Sequence, residues 1–371
     1  MQAILKAPLY KRPQPTNEVE AMGYLPAGSV ITVDSIVQGK TLDGNSSWIK
    51  ASDGFHYWAD DSVLTKVPIA FDPTKMSWGH QLLDIPGIWA RQGTTGRNCV
   101  VAVIDTGIVT ANKDLSPNIH PLSKSFLPGD SSLEDSDPDN HGTKMAGIIA
   151  ATGKNIVYGV APEAQLLVIR ATKTTTEFNL SLFTAAMNYV AGLKEVDIVS
   201  ISYAFPENDQ GFQQAVQACL DANKIVVAAI GNIRSPMPGV NIDPDRFPAA
   251  YNNGYPSSKG VMGIGAFDSG KQLCTFSASN AHLSCLAPGD FSILTTGPGD
   301  APVNGSMTSI ATAFTAGCLA LMISYAKLKG SGSSPDFIPA LLNTCDPMGA
   351  GSFSPQSGYG RINLKNAFLK I

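Results

Sequence analysis

The amino-acid order predicts an α/β protein with a mostly parallel central sheet, preceded by a small all-β unit, because the pattern of the chain changes once, near residue 70. Residues 1 to 68 read as short strands between turn residues. The turn Leu25-Pro26-Ala27-Gly28 leads into the alternating Ser29-Val30-Ile31-Thr32-Val33, and a Gly44-Asn45-Ser46-Ser47 turn precedes Trp48-Ile49-Lys50. Asp53-Gly54 then sets off Phe55-His56-Tyr57-Trp58. Residues 69 to 77, with Pro68 and Pro73 around them, read as a linker, and 78 to 371 as the second domain. There apolar runs alternate with longer amphipathic segments, as parallel strands covered by helices require. The expected strands are 100–104, 164–170, 198–202, 225–229 and 261–267; the expected helices are 144–151, 182–193, 211–223 and 309–326. In such sheets ligands gather beyond the carboxyl ends of the strands, where Asp105, Ser202 and Asn232 fall.

Composition narrows the class. A chain of 371 residues, 44% hydrophobic and 15% charged, can bury a large core and form two or three domains. Its 26 basic and 30 acidic residues leave a net charge of -4, the wrong sign for a polyanion binder, so no nucleic-acid partner is expected. No window is expected to cross a bilayer, the richest being the Ala-rich stretch after Ser309, so no membrane partner is expected either. Six cysteines are scattered through apolar segments and read as buried free thiols; only Cys274 and Cys285 are close enough in sequence to suggest a local bridge. The first residues carry no basic stretch followed by a long apolar run. With unbridged cysteines, this points to a reducing, cytoplasmic setting.

Three separated segments carry chemistry: Val101-Ala102-Val103-Ile104-Asp105-Thr106-Gly107, His141-Gly142-Thr143 and Thr308-Ser309-Ile310-Ala311-Thr312. Amide hydrolysis needs an activated nucleophile, a base to take its proton and an acid to orient that base, and Ser309, His141 and Asp105 are the right types. Taken singly, each has a simpler role as a turn or cap residue. Together, in the order Asp, His, Ser and with these flanking residues, they make residues 75 to 371 resemble the subtilisin-like serine proteases (subtilases, peptidase S8). The resemblance implies a three-layer fold, a catalytic Asp105, His141 and Ser309, and an acyl-enzyme intermediate. It also implies that Asn232, in Ile230-Gly231-Asn232, donates to the oxyanion; in subtilisin, losing that donor costs about 2.7 to 4 kcal/mol.

The nucleophile segment departs from the family. The usual glycine-threonine-serine-methionine-alanine is here Met307-Thr308-Ser309-Ile310-Ala311, and Ser306 offers a rival three residues upstream. Ser309 is preferred because Ala316-Gly317 then falls at the family's spacing. For substrate, the resemblance implies an extended peptide held against Ser202, Tyr203 and Ala204, with Ala229, Ile230 and Gly231 as one wall of the primary pocket. That uncharged wall implies apolar residues before the cut, although Asp130, Glu134, Asp135, Asp137 and Asp139 crowd the loop before His141 and offer attraction for a basic side chain. A solvated acidic loop is the simpler reading.

No cofactor is expected. Asp114 and Asn155 match positions that bind calcium in secreted relatives, so calcium stays possible, but the loop is a poor copy. Residues 1 to 68 resemble bacterial SH3-like (SH3b) barrels, which implies a protein or cell-wall peptide as ligand of that domain. Two other outcomes stay open at this level: a peptide ligase or macrocyclase using the same acyl-enzyme, and a catalytically silent peptide-binding protein.

Overall fold

The computed structural model describes residues 2–5, 8–42, 45–58, 64–66, 71–232, 243–252, 260–299, 301–330, 336–349 and 351–371. The chain forms two compact units, one of Met1–Phe71 with Gly87–Thr94 and Ser324–Pro335, the other of Asp72–Pro86, Thr95–Ile323 and Asp336–Ile371.

The first unit is antiparallel. Its strands are β1 (Gln2–Leu5), β2 (Leu9–Tyr10), β3 (Tyr24–Leu25), β4 (Val30–Leu42), β5 (Asn45–Ala51), β6 (His56–Trp58) and β7 (Leu64–Lys66), arranged as a sheet β6-β5-β4-β1-β7 beside the β2-β3 pair. The expected turns at Gly28 and Gly54 form, with φ of +85° and +83° that suit a residue without a β-carbon. Asn45 to Ser47, expected in a turn, belong to β5 instead, because Leu42 pairs with Asn45 and Gln38 with Ser47, extending the hairpin. Leu5, Leu9, Ile31, Val33, Ile49 and Tyr57 fill a small core. In the expected linker, Pro73–Lys75 form a single 3-10 turn capped by Asp72; residues 69 and 70 lie outside the described residues.

The second unit is built on a seven-stranded parallel sheet. From α1 (Trp78–Leu82) the chain passes through α2 (Ile85–Gln92), most of which belongs to the first unit, to β8 (Val100–Asp105), β9 (Lys124–Ser125), α3 (His141–Ala150), β10 (Gln165–Arg170), α4 (Leu180–Ala191), β11 (Ile198–Ile201), α5 (Gln210–Asp221), β12 (Ile225–Ala229), β13 (Val261–Phe267) and β14 (Leu283–Pro288). A hairpin of β15 (Ile293–Thr296) and β16 (Pro302–Gly305), then α6 (Met307–Lys329), α7 (Phe337–Leu342) and α8 (Leu364–Ala367) complete it.

The sheet order is β14-β13-β12-β11-β8-β10-β9. Every residue of β8 and β13 is buried, which is why these segments, Asp105 apart, are continuous apolar runs rather than alternating. On α5, Phe212, Ala215, Val216, Cys219 and Leu220 recur at helical spacing and pack into the core with Phe183, Met187 and Phe205. Burying each large side chain contributes about 1.5 to 3 kcal/mol. From β8 the sheet grows in both directions, to β10 on one side and β11 on the other, so the end of β8 is the topological switch point. Asp105 sits there, opposite Arg170, and two residues beyond the Val103–Ser200 pairing brings Ser202 level with it.

One sequence expectation changes, and the reading of the cysteines as free thiols holds. Helix α6 is long and apolar enough to cross a membrane by length and composition, contrary to expectation; the window is 94% buried within the fold, so its apolarity serves the core. All six cysteines are free, and Cys274 and Cys285 form no bridge.

The loop between α3 and β10 is fastened by one carboxylate. Asp114, fully buried, accepts from Thr152 Oγ1 (2.8 Å), Asn155 N (2.9 Å) and Asn155 Nδ2 (3.2 Å) on Oδ1, and from Ile156 N (2.6 Å) and Val157 N (3.0 Å) on Oδ2. Burial alone would raise its pKa, but these donors outweigh it and hold the carboxyl below its usual range. Asp114→Asn turns one acceptor oxygen toward donors as an NH₂ group, and should lower stability by about 2 to 4 kcal/mol, read as a fall in urea midpoint. An unchanged midpoint would mean the clasp is dispensable.

Candidate active site

Asp105 ends β8 and His141 opens α3, and two glycines let these backbones meet. A β-carbon on Gly142 would lie 2.3 Å from the Gly107 carbonyl oxygen, and one on Gly107 would lie 2.5 Å from that of Leu133. Gly107 also has φ of +117°. The approach is then locked by Thr106 Oγ1, which accepts from Gly142 N at 2.8 Å, and by Thr143 Oγ1, which accepts from Val109 N at 3.0 Å. The result is a 2.8 Å hydrogen bond between Asp105 Oδ1 and His141 Nδ1. Asp105 is 1% exposed, its Oδ1 also accepts from Thr106 N, and its Oδ2 has no partner.

The loop before His141 is only partly the solvated acidic loop expected: Glu134 and Asp139 are exposed, but Asp135 and Asp137 are engaged with backbone amides. Asp137 is buried: its Oδ2 accepts from Asp139 N and His141 N, and its Oδ1 from Thr175 N. Asp135 accepts from Asp137 N on Oδ1 and from Thr143 N and Oγ1 on Oδ2. The two-residue spacing of Asp135, Asp137 and Asp139 is the signal, since an Asp side chain caps the amide two residues on. Arg170, 3% exposed and unremarked in the sequence, fastens the same loop. Its Nε donates to Thr106 O, its Nη1 to Asp130 Oδ2 and Ser132 O, and its Nη2 to Ser136 Oγ. Burial pushes the His141 imidazole down, but Asp105, by charge and hydrogen bond, with Asp137 and Asp135, outweighs burial and raises its pKa above the ordinary value.

Ser309 lies in the first turn of α6, where backbone N–H groups have no partner within the helix. Its hydroxyl donates to Ser202 O at 3.2 Å and makes no hydrogen bond with His141. Ser202 Oγ returns a bond to Ser309 O at 3.1 Å. Asn232 Oδ1 accepts from Thr308 N and Thr308 Oγ1, both at 3.0 Å, which turns its amide nitrogen away from Thr308. Met307, where the family has glycine, keeps φ of +81°, a conformation that disfavours a β-carbon, and its N donates to Gly289 O.

His141, Asn232, Ser309, Ser202, Tyr203 and Ala204 line one cleft of about 570 Å³, together with Ser306 and Met307. Residues 202 to 204 leave the end of β11 outside any ladder. The Tyr203 ring meets His141 edge-on at 5.8 Å. Gly231 lines the cleft, whereas Ala229 and Ile230 are buried behind it. Arg246, also in the lining, was not signalled by any motif, since it lies in the long connection between β12 and β13.

The position matched to calcium binding does not fit the ion. Both Asp114 oxygens already face N–H and O–H donors, whose hydrogens occupy the directions a cation would need. Among the described residues no group of three or more His, Cys, Asp or Glu could hold a metal.

The sequence profile of the Subtilase family (peptidase S8) matches residues 96–360. The major intracellular serine protease of Bacillus subtilis (strain 168) is 33% identical over 258 residues, covering 68% of this chain and 77% of that protein. The intracellular serine protease of Paenibacillus polymyxa is 32% identical over 276 residues, 73% of this chain and 80% of that one. Subtilisin Savinase of Lederbergia lenta is 32% identical over 292 residues, 78% of this chain and 97% of its own length. With the parallel seven-stranded sheet and the cleft at its switch point, these matches make the chain a member of the subtilase family and a serine endopeptidase.

Proposed function

We propose that peptide bonds are cleaved by Ser309, with His141 as base, Asp105 as its orienting acid, and Asn232 Nδ2 and the Ser309 N–H as oxyanion donors. The observation that carries the reading is the Asp105–His141 hydrogen bond at the mouth of a cleft that Ser309 and Asn232 also line. Asp105 holds the proton on Nδ1, leaving Nε2 to accept. Rotation of Ser309 about its Cα–Cβ bond exchanges the Ser202 carbonyl for that nitrogen. The oxygen then attacks the substrate carbonyl, its proton passes to His141 and on to the leaving amine, and water cleaves the acyl-enzyme by the same route. Ser309 is preferred to Ser306 because it stands inside the first turn of α6, where the helix favours negative charge.

The substrate is a peptide or protein whose extended backbone lies along Ser202, Tyr203 and Ala204, with Gly231 at the pocket wall and Ala229 and Ile230 as its buried backing. The first β unit is read as an SH3-like domain that binds a protein or wall peptide, supported by its five-stranded antiparallel sheet and small core. A cytoplasmic setting is supported by free cysteines and by two relatives named as intracellular proteases. Catalysis needs no cofactor, and calcium has no part at Asp114, whose clasp does the work of a metal.

Three outcomes test this reading. A fluorophosphonate probe should label the wild type and Ser306→Ala but spare Ser309→Ala; labelling of Ser309→Ala would move the nucleophile. Because His141 must be neutral to accept a proton and its pKa is raised, kcat/KM should climb with pH through a midpoint above the ~6.5 of free imidazole. A midpoint at or below that value would deny the influence of Asp105, Asp137 and Asp135. Activity and thermal midpoint should be unchanged in excess EDTA, and a fall in either would restore a metal.

A further inference from the structure

The wall of the primary pocket carries a cation. Gly231 stands between Arg246 and Ala204: a β-carbon added to it would lie 3.3 Å from Arg246 Cγ and 3.6 Å from Ala204 Cβ. The stem of Arg246 therefore lies against Gly231, near the segment along which substrate is laid, and Arg246 is part of the cleft lining.

Its charge is not spent locally. The acids nearest in sequence are engaged elsewhere, Asp243 with Ser279 N at 2.8 Å and Asp245 with His282 Nε2 at 3.3 Å. Among the described residues no hydrogen bond or ion pair is made by the Arg246 guanidinium, and the residue as a whole is partly buried. The other ionic groups of the lining are Asp139 and Lys144, which pair with each other at 2.5 Å, and His141, bonded to Asp105. Among the described residues of the lining, Arg246 is thus the unbalanced charge.

We propose that Arg246 is a specificity-determining residue that selects substrates with a carboxylate side chain, Glu or Asp, on the residue whose carbonyl is attacked. The inference rests on Asn232 and Ser309 as the oxyanion site, because the acyl-side residue then has its carbonyl at Asn232 and its side chain beside the adjoining Gly231. A planar guanidinium with unused donors matches a carboxylate in a two-point pair that neither an amide nor an alkyl group can make. The apolar preference implied by an uncharged wall is replaced, and a basic side chain meets repulsion.

The experiment measures kcat/KM for matched peptides that differ only in Glu, Gln, Leu or Lys before the cleaved bond. The wild type should prefer Glu to Gln by at least tenfold, with Lys poorest and the Glu advantage shrinking as NaCl is raised. Arg246→Gln should bring the Glu to Gln ratio near one, and Arg246→Glu should favour Lys over Glu. A wild type that cuts after Leu or Lys better than after Glu, or a ratio unmoved in Arg246→Gln, overturns the proposal. Active-site titration with the fluorophosphonate shows that each variant is folded and its nucleophile intact. Labelling that persists in Ser309→Ala would instead sink the catalytic reading on which the proposal rests.

Discussion

The close approach of the end of β8 to the start of α3 is the constraint on which the site depends. Asp105 and His141 are 36 residues apart, and a 2.8 Å bond between them requires the two backbones to come almost into contact. No side chain fits at that crossing. Gly107 and Gly142 meet carbonyl oxygens at distances a β-carbon could not tolerate, and Thr106 and Thr143 convert the approach into hydrogen bonds. The residues after Asp105 and His141 are thus parts of the crossing that brings the two side chains together. An alanine at either glycine would separate Asp105 from His141.

The long apolar strands were legible because a parallel sheet buried on both faces leaves no room for polar residues, and the lengths of α3 to α6 followed from their amphipathic or apolar runs. The pairing of Asp105 with His141 was legible because the residues beside them are constrained as tightly as they are, whereas Ser309 shares only the cleft that His141 lines. Asp135, Asp137 and Arg170 were misread or passed over, since charge on a loop looks solvated until its donors are known. Their partners include the 172–177 segment and the end of β8, long-range contacts that local pattern does not encode. Arg246 was invisible for the same reason: only the folded connection between β12 and β13 brings it to Gly231.

The turn into α6 holds a non-glycine residue in the left-handed region. Met307 takes the left-handed conformation that glycine ordinarily supplies, at a strain cost of about 1 to 3 kcal/mol. The turn is held from both sides, by Met307 N on Gly289 O and by Thr308 on Asn232 Oδ1. Relaxing the strain would move Ser309 and the Thr308–Asn232 contact with it. The outlier persists because the surroundings fix the turn more strongly than the methionine resists it.

The same balance governs the base. Asp135 and Asp137 tie the loop that presents His141 through hydrogen bonds from its backbone. Their charge, with that of Asp105, favours the imidazolium and holds the His141 pKa above its ordinary value. Orientation and basicity are therefore set together. A fold that positions its histidine with anions stabilises the protonated intermediate, and in exchange it places the onset of activity at higher pH than a neutral scaffold would.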